Sequence, residues 1–327
     1  MIPVPRNITF HVTDVCPYQC VHCWMTGIPR NRGLPGVYYV QAARSVREVF
    51  GPVPVLLDGG EALTRSDLPA MIREMTDLGL RVLLNTNGYL VTRDLAQTLA
   101  ARGLRYVNLS LDGTREVHNA IRAHPEAYDR ALSAIEAFAA TDPPIDITIL
   151  TTLQAGNARD APDFLAGILR DPRVAGVQLQ AIANPRGHDA DPAFLADATL
   201  WPQRSDQVVE TLDLILELQA GGLRIKNPPR QLRLFQEYFR APLDFTRGMA
   251  CRADEAGLMI DALGNVKFCG LMKPAGSLLR NDLADILRSP EMAALRASMR
   301  ACRRTACHYV MNCFFTEAGL DDALARG

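Results

Sequence analysis

Over its first 180 residues the chain alternates between two hydrophobic periods, and this alternation restricts the possible folds more than any other feature. Apolar, β-branched runs fall at Ile8–Val12, Val53–Leu57, Leu80–Leu84, Tyr106–Leu111, Ile145–Leu150 and Val174–Leu179. Stretches of helical period lie between them, among them Leu68–Leu78, Leu95–Ala101, Ala131–Ala140 and Phe164–Leu169. Strands that alternate with helices build parallel βαβ units with right-handed crossovers. Six units can form an open or partial barrel or a doubly wound sheet, and periodicity does not separate the two. Gly79 and Gly103 stand where helices should end, since glycine takes the left-handed terminal conformation at little cost.

Polar or glycine-bearing residues follow the strands: Thr13-Asp14, Asp58-Gly59-Gly60-Glu61, Asn85-Thr86-Asn87-Gly88 and Asp112-Gly113. In parallel α/β folds the C-terminal strand ends carry the active site, so these segments should converge on one pocket. After Gln180 the rhythm stops. Asn184–Pro202 reads as a loop, and helices are expected over Ser205–Gln219 and Gln231–Phe239. Gly257–Ile260 and Val266–Phe268 flank a hairpin turn at Gly264-Asn265, followed by short helices at Leu283–Leu287 and Met292–Met299. The expected units are residues 1–185, a bridge of loop and helices over 186–245, a small domain over 246–319 and a tail over 320–327.

With 35 basic and 36 acidic residues the net charge is −1, so electrostatics offers no reason to expect nucleic acid or a membrane surface as partner. No stretch approaches the roughly 20 apolar residues of a membrane span, and MIPVPRNITF lacks the features of a signal peptide. The expected location is the cytoplasm.

Three of the eight cysteines lie within residues 16–23 and five between 251 and 313, a grouping that points to metal binding rather than a disulfide framework. Cys16, Cys20 and Cys23 directly follow the first strand. An iron–sulfur cubane normally takes four cysteines, so three from one loop leave one iron open to a small ligand. A structural zinc site completed by His11 or His22 is the alternative.

The C-x-x-x-C-x-x-C spacing, with His22 where an aromatic residue is usual, resembles the signature of the radical S-adenosylmethionine superfamily. Later strand ends extend the resemblance: Gly59-Gly60-Glu61 is similar to its GGE motif, Asn85-Thr86-Asn87-Gly88 to its TNG segment and Ser110-Leu111-Asp112-Gly113 to its S-x-D-G segment. The resemblance implies a partial (β/α)6 TIM-type barrel and a [4Fe–4S] cluster whose open iron chelates the methionyl group. One-electron cleavage then yields a 5′-deoxyadenosyl radical that abstracts a substrate hydrogen. By the same resemblance the Glu61 carboxylate would meet the methionyl ammonium, and Ser110 and Asp112 the methionyl or ribose groups. Arg122 would meet the methionyl carboxylate, Thr86 and Asn87 would pack near adenosine, and Gln180 would touch the nucleoside.

Cys251, Gly264 and Cys269 read as C-x12-G-x4-C, and Cys302, Cys307 and Cys313 follow. This resembles the SPASM/twitch iron–sulfur domain of the superfamily, with two departures. The gap from Cys302 to Cys307 is two residues longer than usual, and Glu317 stands where a further cysteine would fall. One auxiliary [4Fe–4S] cluster is expected, using four of the five cysteines. A spare thiol among Cys302, Cys307 and Cys313 would be a buried hydrophobe or a hydrogen-atom donor. A zinc ribbon of Cys251, Cys269, Cys307 and Cys313 is the alternative. Asp254, Glu255 and Glu317 are candidate bases or substrate contacts.

The chain begins seven residues before the first strand, which argues against an N-terminal leader-recognition domain and for a small substrate. The expected activity is that of an oxidoreductase or epimerase tailoring a sugar-like or other small natural product, reduced by a flavodoxin or ferredoxin. Maturation of a ribosomal peptide is the second expectation, and a non-catalytic zinc-binding module the alternative of another class.

Overall fold

The computed structural model describes residues 4–5, 7–23, 25, 29–183, 192–245 and 253–302. Six parallel strands open the chain: β1 (Asn7–His11), β2 (Pro54–Asp58), β3 (Arg81–Thr86), β4 (Tyr106–Ser110), β5 (Asp146–Leu153) and β6 (Val174–Ala181). Helices α1 (Gly36–Phe50), α2 (Leu68–Asp77), α3 (Arg93–Ala101), α4 (Arg115–Arg122), α5 (Ala127–Ala139) and α6 (Ala161–Ile168) connect them. Within the sheet these strands lie in sequence order. Every crossover therefore steps the same way, which places all the helices on one face and leaves the other to form a lumen. A doubly wound sheet needs a reversal of order, and this region has none. It is a partial barrel.

Strand alternation sets the two faces. In β1, Ile8 and Phe10 are fully buried in a core with Tyr39 and Val46 of α1 and Met71, Ile72 and Met75 of α2. Each such side chain removed from water contributes about 2 kcal/mol. Within the barrel the predicted elements left two helices out. In α1 the buried residues Tyr39, Val40, Ala42, Ala43 and Val46 have helical spacing, but two alanines and two valines give a weak signal. In α4 the buried residues are His118, Ile121 and Arg122, so its inner face is mostly polar. Gly79 and Gly103 have φ of +77° and +101° just beyond α2 and α3.

Both edges of the barrel sheet are covered. Along β6, Lys226 donates its N–H to the Val177 carbonyl at 2.8 Å. Asn227 pairs with the Leu179 N–H and carbonyl at 2.7 and 2.9 Å. This segment joins α7 (Ser205–Ala220) to α8 (Pro229–Arg240), the two helices expected in the bridge.

At the other edge, beyond a short α9 (Ala253–Ala256), the expected hairpin forms from β7 (Gly257–Ile260) and β8 (Asn265–Lys267), followed by β9 (Gly276–Ser277). It does not stand apart from the barrel. β7 pairs in parallel with β1, from Asn7↔Gly257 to Phe10↔Ile260, so one nine-stranded sheet runs through both regions. Helices α10 (Leu283–Arg288) and α11 (Pro290–Arg300) follow. Leu34 N–H and the Tyr39 hydroxyl donate to the Ala262 carbonyl at 3.1 and 3.3 Å, tying this extension to the start of α1. Among the described residues, no helix is long and apolar enough to cross a membrane.

Candidate functional site

The loop after β1 carries Cys16, Cys20 and Cys23 and is pinned on several sides. Gly60 N–H donates to the Thr13 carbonyl at 2.7 Å, Glu61 N–H to Val15 at 2.8 Å and Val21 N–H to Ile121 at 3.0 Å. Arg30 donates to the Cys16 carbonyl. Gly59 has φ of +146°, and a Cβ there would stand 2.3 Å from the Thr13 oxygen; at Gly60 it would stand 2.4 Å from the Val15 oxygen. Both positions require glycine because the β2 loop lies directly against the cysteine loop.

The cysteines border a cavity of about 710 Å³ at the C-terminal strand ends, a volume within the usual range for ligand sites. Its wall includes the expected Gly59, Gly60, Thr86, Asn87, Ser110, Arg122 and Gln180. Burial pushes the Cys16 thiol up to about 12, with the neighbouring Cys20, Glu61 and Cys23 charges adding to it, and burial also raises Cys23. Thiolates so placed need a cationic partner. Side-chain donors face them: Asn87 Nδ2 lies 3.5 Å from Cys16 Sγ and Arg122 Nη1 3.8 Å from Cys20 Sγ. Three thiols from one loop, N–H donors to sulfur and an adjoining polar cavity fit an iron–sulfur cluster with a vacant position.

Two expected contacts are corrected. The Glu61 carboxylate does not face the cavity. It is 1% exposed and accepts from Leu63 N–H at 3.1 Å, the Thr86 hydroxyl at 2.9 Å and Asn87 N–H at 2.7 Å, bracing the β2 loop against the β3 loop. Asp112, also 1% exposed, accepts from Arg122 and from Thr152 N–H and so stands behind Arg122 rather than beside a ligand. Neither carboxylate is part of the cavity wall, and both are engaged by donors of their own chain.

His11, Asp14 and His22 also stand in the cavity wall, the two histidines being those weighed above as zinc ligands. His11 Nε2 and Asp14 Oδ1 are 3.1 Å apart. Although burial opposes it, hydrogen bonds from His11 and Asn31 hold the Asp14 carboxyl below its usual range. Strand parity is the signal that finds His11, because it alternates with the core-facing Ile8 and Phe10. His22 lies 3.2 Å from Gln154 Nε2, and burial together with nearby Arg122 pushes its imidazole down to about 4, which leaves it neutral.

The family model of the radical SAM superfamily matches residues 10–161, which include the cysteine loop and the three later strand-end motifs, and the model of the SPASM iron–sulfur cluster-binding domain matches residues 251–314. The chain belongs to the radical SAM superfamily. Its cofactors are a [4Fe–4S] cluster that binds S-adenosylmethionine and auxiliary iron–sulfur in the SPASM domain. An AdoMet-dependent heme synthase of Methanosarcina barkeri is 34% identical over 165 residues, 49% of this chain and 46% of that protein. Across it and two further curated relatives the match spans 46%, 39% and 35% of their length, under half of each. Mycofactocin maturase MftC of Mycobacterium ulcerans is 27% identical over 82% of this chain and 69% of its own. Among solved structures, anSMEcpe with bound AdoMet and a peptide superposes with a TM-score of 0.65 at 16% identity, covering 94% of this chain and 88% of that one. That likeness is one of fold.

In this radical SAM chain the SPASM region is only partly within the described residues. Cys269 is buried at the end of the hairpin and accepts from Leu271 N–H at 3.3 Å, while Cys302, just past α11, is half-buried. Cys251, Cys307, Cys313 and Glu317 lie outside the described residues. Asp254, expected as a base or substrate contact, is wholly buried, with Arg296 and Arg300 at 3.5 and 3.4 Å from Oδ2, and its surroundings are those of an ion pair. Arg296 also stacks on Phe268, 4.6 Å from the ring centre. Glu255, at the same short helix, is half-buried.

Proposed function

We infer that this chain reductively cleaves S-adenosylmethionine and abstracts a hydrogen atom from a substrate in the adjoining cavity, acting as a cytoplasmic dehydrogenase or epimerase of a sugar-like or other small natural product. The observation that carries this reading is the placement of Cys16, Cys20 and Cys23 at the border of a cavity of about 710 Å³ at the C-terminal strand ends. When bound, the cluster and the nucleoside supply a 5′-deoxyadenosyl radical. The chain's own residues bind and orient. The three cysteines hold the cluster, and Asn87 and Arg122 donate toward the sulfurs. Ser110 and Gln180 offer hydrogen bonds along the wall, Thr86 and Asn87 stand where adenosine would pack, and Gly59 and Gly60 let two loops approach each other. Cys251 and Cys269, with two of Cys302, Cys307 and Cys313, hold one auxiliary [4Fe–4S] cluster, an outlet for the second electron of an oxidation. A flavodoxin or ferredoxin supplies the reducing electron.

Anaerobic reconstitution tests the reading. About eight irons are expected, four per cubane, and dithionite with S-adenosylmethionine should release 5′-deoxyadenosine. Release that survives Cys16→Ala, or a protein that binds zinc alone, removes the assignment. A product two hydrogens lighter than the substrate marks oxidation, and uptake of one solvent deuterium without other mass change marks epimerisation. Peptide maturation is the second reading, favoured by the match to a maturase over 82% of this chain. Turnover of a peptide, with no turnover of small polyols or sugars, would select it.

A further inference from the structure

Helix α4 reaches back over the cysteine loop. The Ile121 carbonyl accepts the Val21 N–H, and the next residue, Arg122, is 8% exposed in the last turn and borders the cavity. Its Nε and Nη2 both approach Asp112 Oδ2 at 2.7 Å, while Nη1 donates to Cys20 Sγ at 3.8 Å. Asp112 is itself immobilised. Thr152 N–H donates to its Oδ1 at 3.1 Å, its own N–H donates to His118 Nδ1 at 3.0 Å, and Asn157 Nδ2 donates to its carbonyl at 2.9 Å. Burial lowers the His118 imidazole, so Arg122 is the cation that balances the Asp112 charge. Although burial opposes it, Arg122 holds the Asp112 carboxyl well below the usual range. A guanidinium on a flexible stem would otherwise be free to swing into the cavity; the buried carboxylate fixes its fork in one orientation.

We propose that Asp112 and Arg122 are a positioning pair that sets the reduction potential of the cluster held by Cys16, Cys20 and Cys23, with Asp112 fixing the guanidinium and the guanidinium stabilising negative charge on the Cys20 sulfur. The proposal rests on the reading of those cysteines as cluster ligands. Hydrogen bonds to cluster sulfurs and the net charge beside a cluster both tune its potential. Together the pair is neutral. Arg122→Gln leaves a lone carboxylate and replaces the charged guanidinium by a shorter, neutral amide, so the cluster becomes harder to reduce. Asp112→Asn leaves a lone guanidinium, so it becomes easier to reduce. The two shifts have opposite signs.

The test is a redox titration of the reconstituted full chain followed by electron paramagnetic resonance, reading the signal that changes on adding S-adenosylmethionine and therefore belongs to the cluster with the open iron. Each substitution should change the reduced-to-oxidised ratio at a fixed poise by about tenfold, equal to about 59 mV for one electron, downward for Arg122→Gln and upward for Asp112→Asn. Arg122→Lys, which keeps the charge and loses the fork, should fall between wild type and Arg122→Gln. Unchanged potentials in variants with full iron content would overturn the proposal, as would shifts of the same sign in Arg122→Gln and Asp112→Asn, the mark of a merely loosened loop. If Asp112→Asn fails to take up iron, the two Arg122 variants decide. Should the wild type show no signal that responds to S-adenosylmethionine, the cluster assignment itself fails.

Discussion

Cys20 and Cys269 are both buried cysteines, but their surroundings are assembled differently. Around Cys20 the other two thiols come from the same loop, and the loop is held by buried polar groups of the β2 loop, the β3 loop and α4: Glu61 accepts from Thr86 and Asn87, and Asp112 fixes Arg122. Around Cys269 the described supports include the backbone N–H groups of Leu271 and Met272, the Arg296–Phe268 stack and the Asp254 ion pairs with α11, while three of the five C-terminal cysteines lie outside the described residues. A site built for chemistry at an open iron is enclosed by groups that fix charge and direction. In the SPASM region the described groups are ion pairs and a ring stack that hold α11 against α9 and the hairpin.

The sharpest way to break this comparison is to remove one cysteine from each side. Cys20→Ala should reduce 5′-deoxyadenosine release to background, whereas Cys269→Ala should lower the iron content from about eight to about four and still release 5′-deoxyadenosine with dithionite. Iron analysis and chromatography read both, and equal loss of release in the two variants would mean that the regions are not separable.

The bracing of the first site is testable through Glu61. Burial pushes its carboxyl up to about 7, against the hydrogen bonds from Asn87, Leu63 and Thr86. The native state thus keeps a proton that the unfolded chain releases near 4.5, the ordinary value. Because the folded state binds more protons across that window, stability falls as pH rises from about 4.5 to about 7, by roughly 3 kcal/mol for this group. Urea unfolding at several pH values should show that slope in the wild type and a flatter profile in Glu61→Gln. Equal slopes would mean that Glu61 is ionised throughout.

The smallest effect concerns packing. The Tyr18 hydroxyl is buried against the cysteine loop with no hydrogen-bond partner among the described residues. Tyr18→Phe should leave iron content unchanged and raise stability by up to about 1 kcal/mol, the cost of desolvating an unpaired hydroxyl. A destabilised variant would reveal a partner for that oxygen.

The readable parts of the fold and site were those whose signal lies within one element or loop. Ile8–Val12 and its five counterparts alternate or run apolar over a few residues, and strand identity follows from period. Cys16, Cys20 and Cys23 span one loop, so their joint use shows in spacing. The orientation of Asp112 was not readable, because the donors that enclose it come from Arg122 and Thr152. Glu61 is the same case, turned away from the cavity by an N–H of the β3 loop. Helix α4 was hidden because its inner face carries His118 and Arg122 where apolar residues are usual.

By itself the sequence determined the six strands, four of the helices between them, the cysteine triplet and the polar strand ends, all products of local periodicity and short-range spacing. Only the tertiary structure decided that the strands run in sequence order around one lumen, that β7 adds to β1 and that two motif carboxylates brace the site from behind. Those outcomes depend on hydrogen bonds between residues far apart in the chain. Such pairings are chosen by which buried donors need an acceptor once the elements have packed, and no local pattern records that choice.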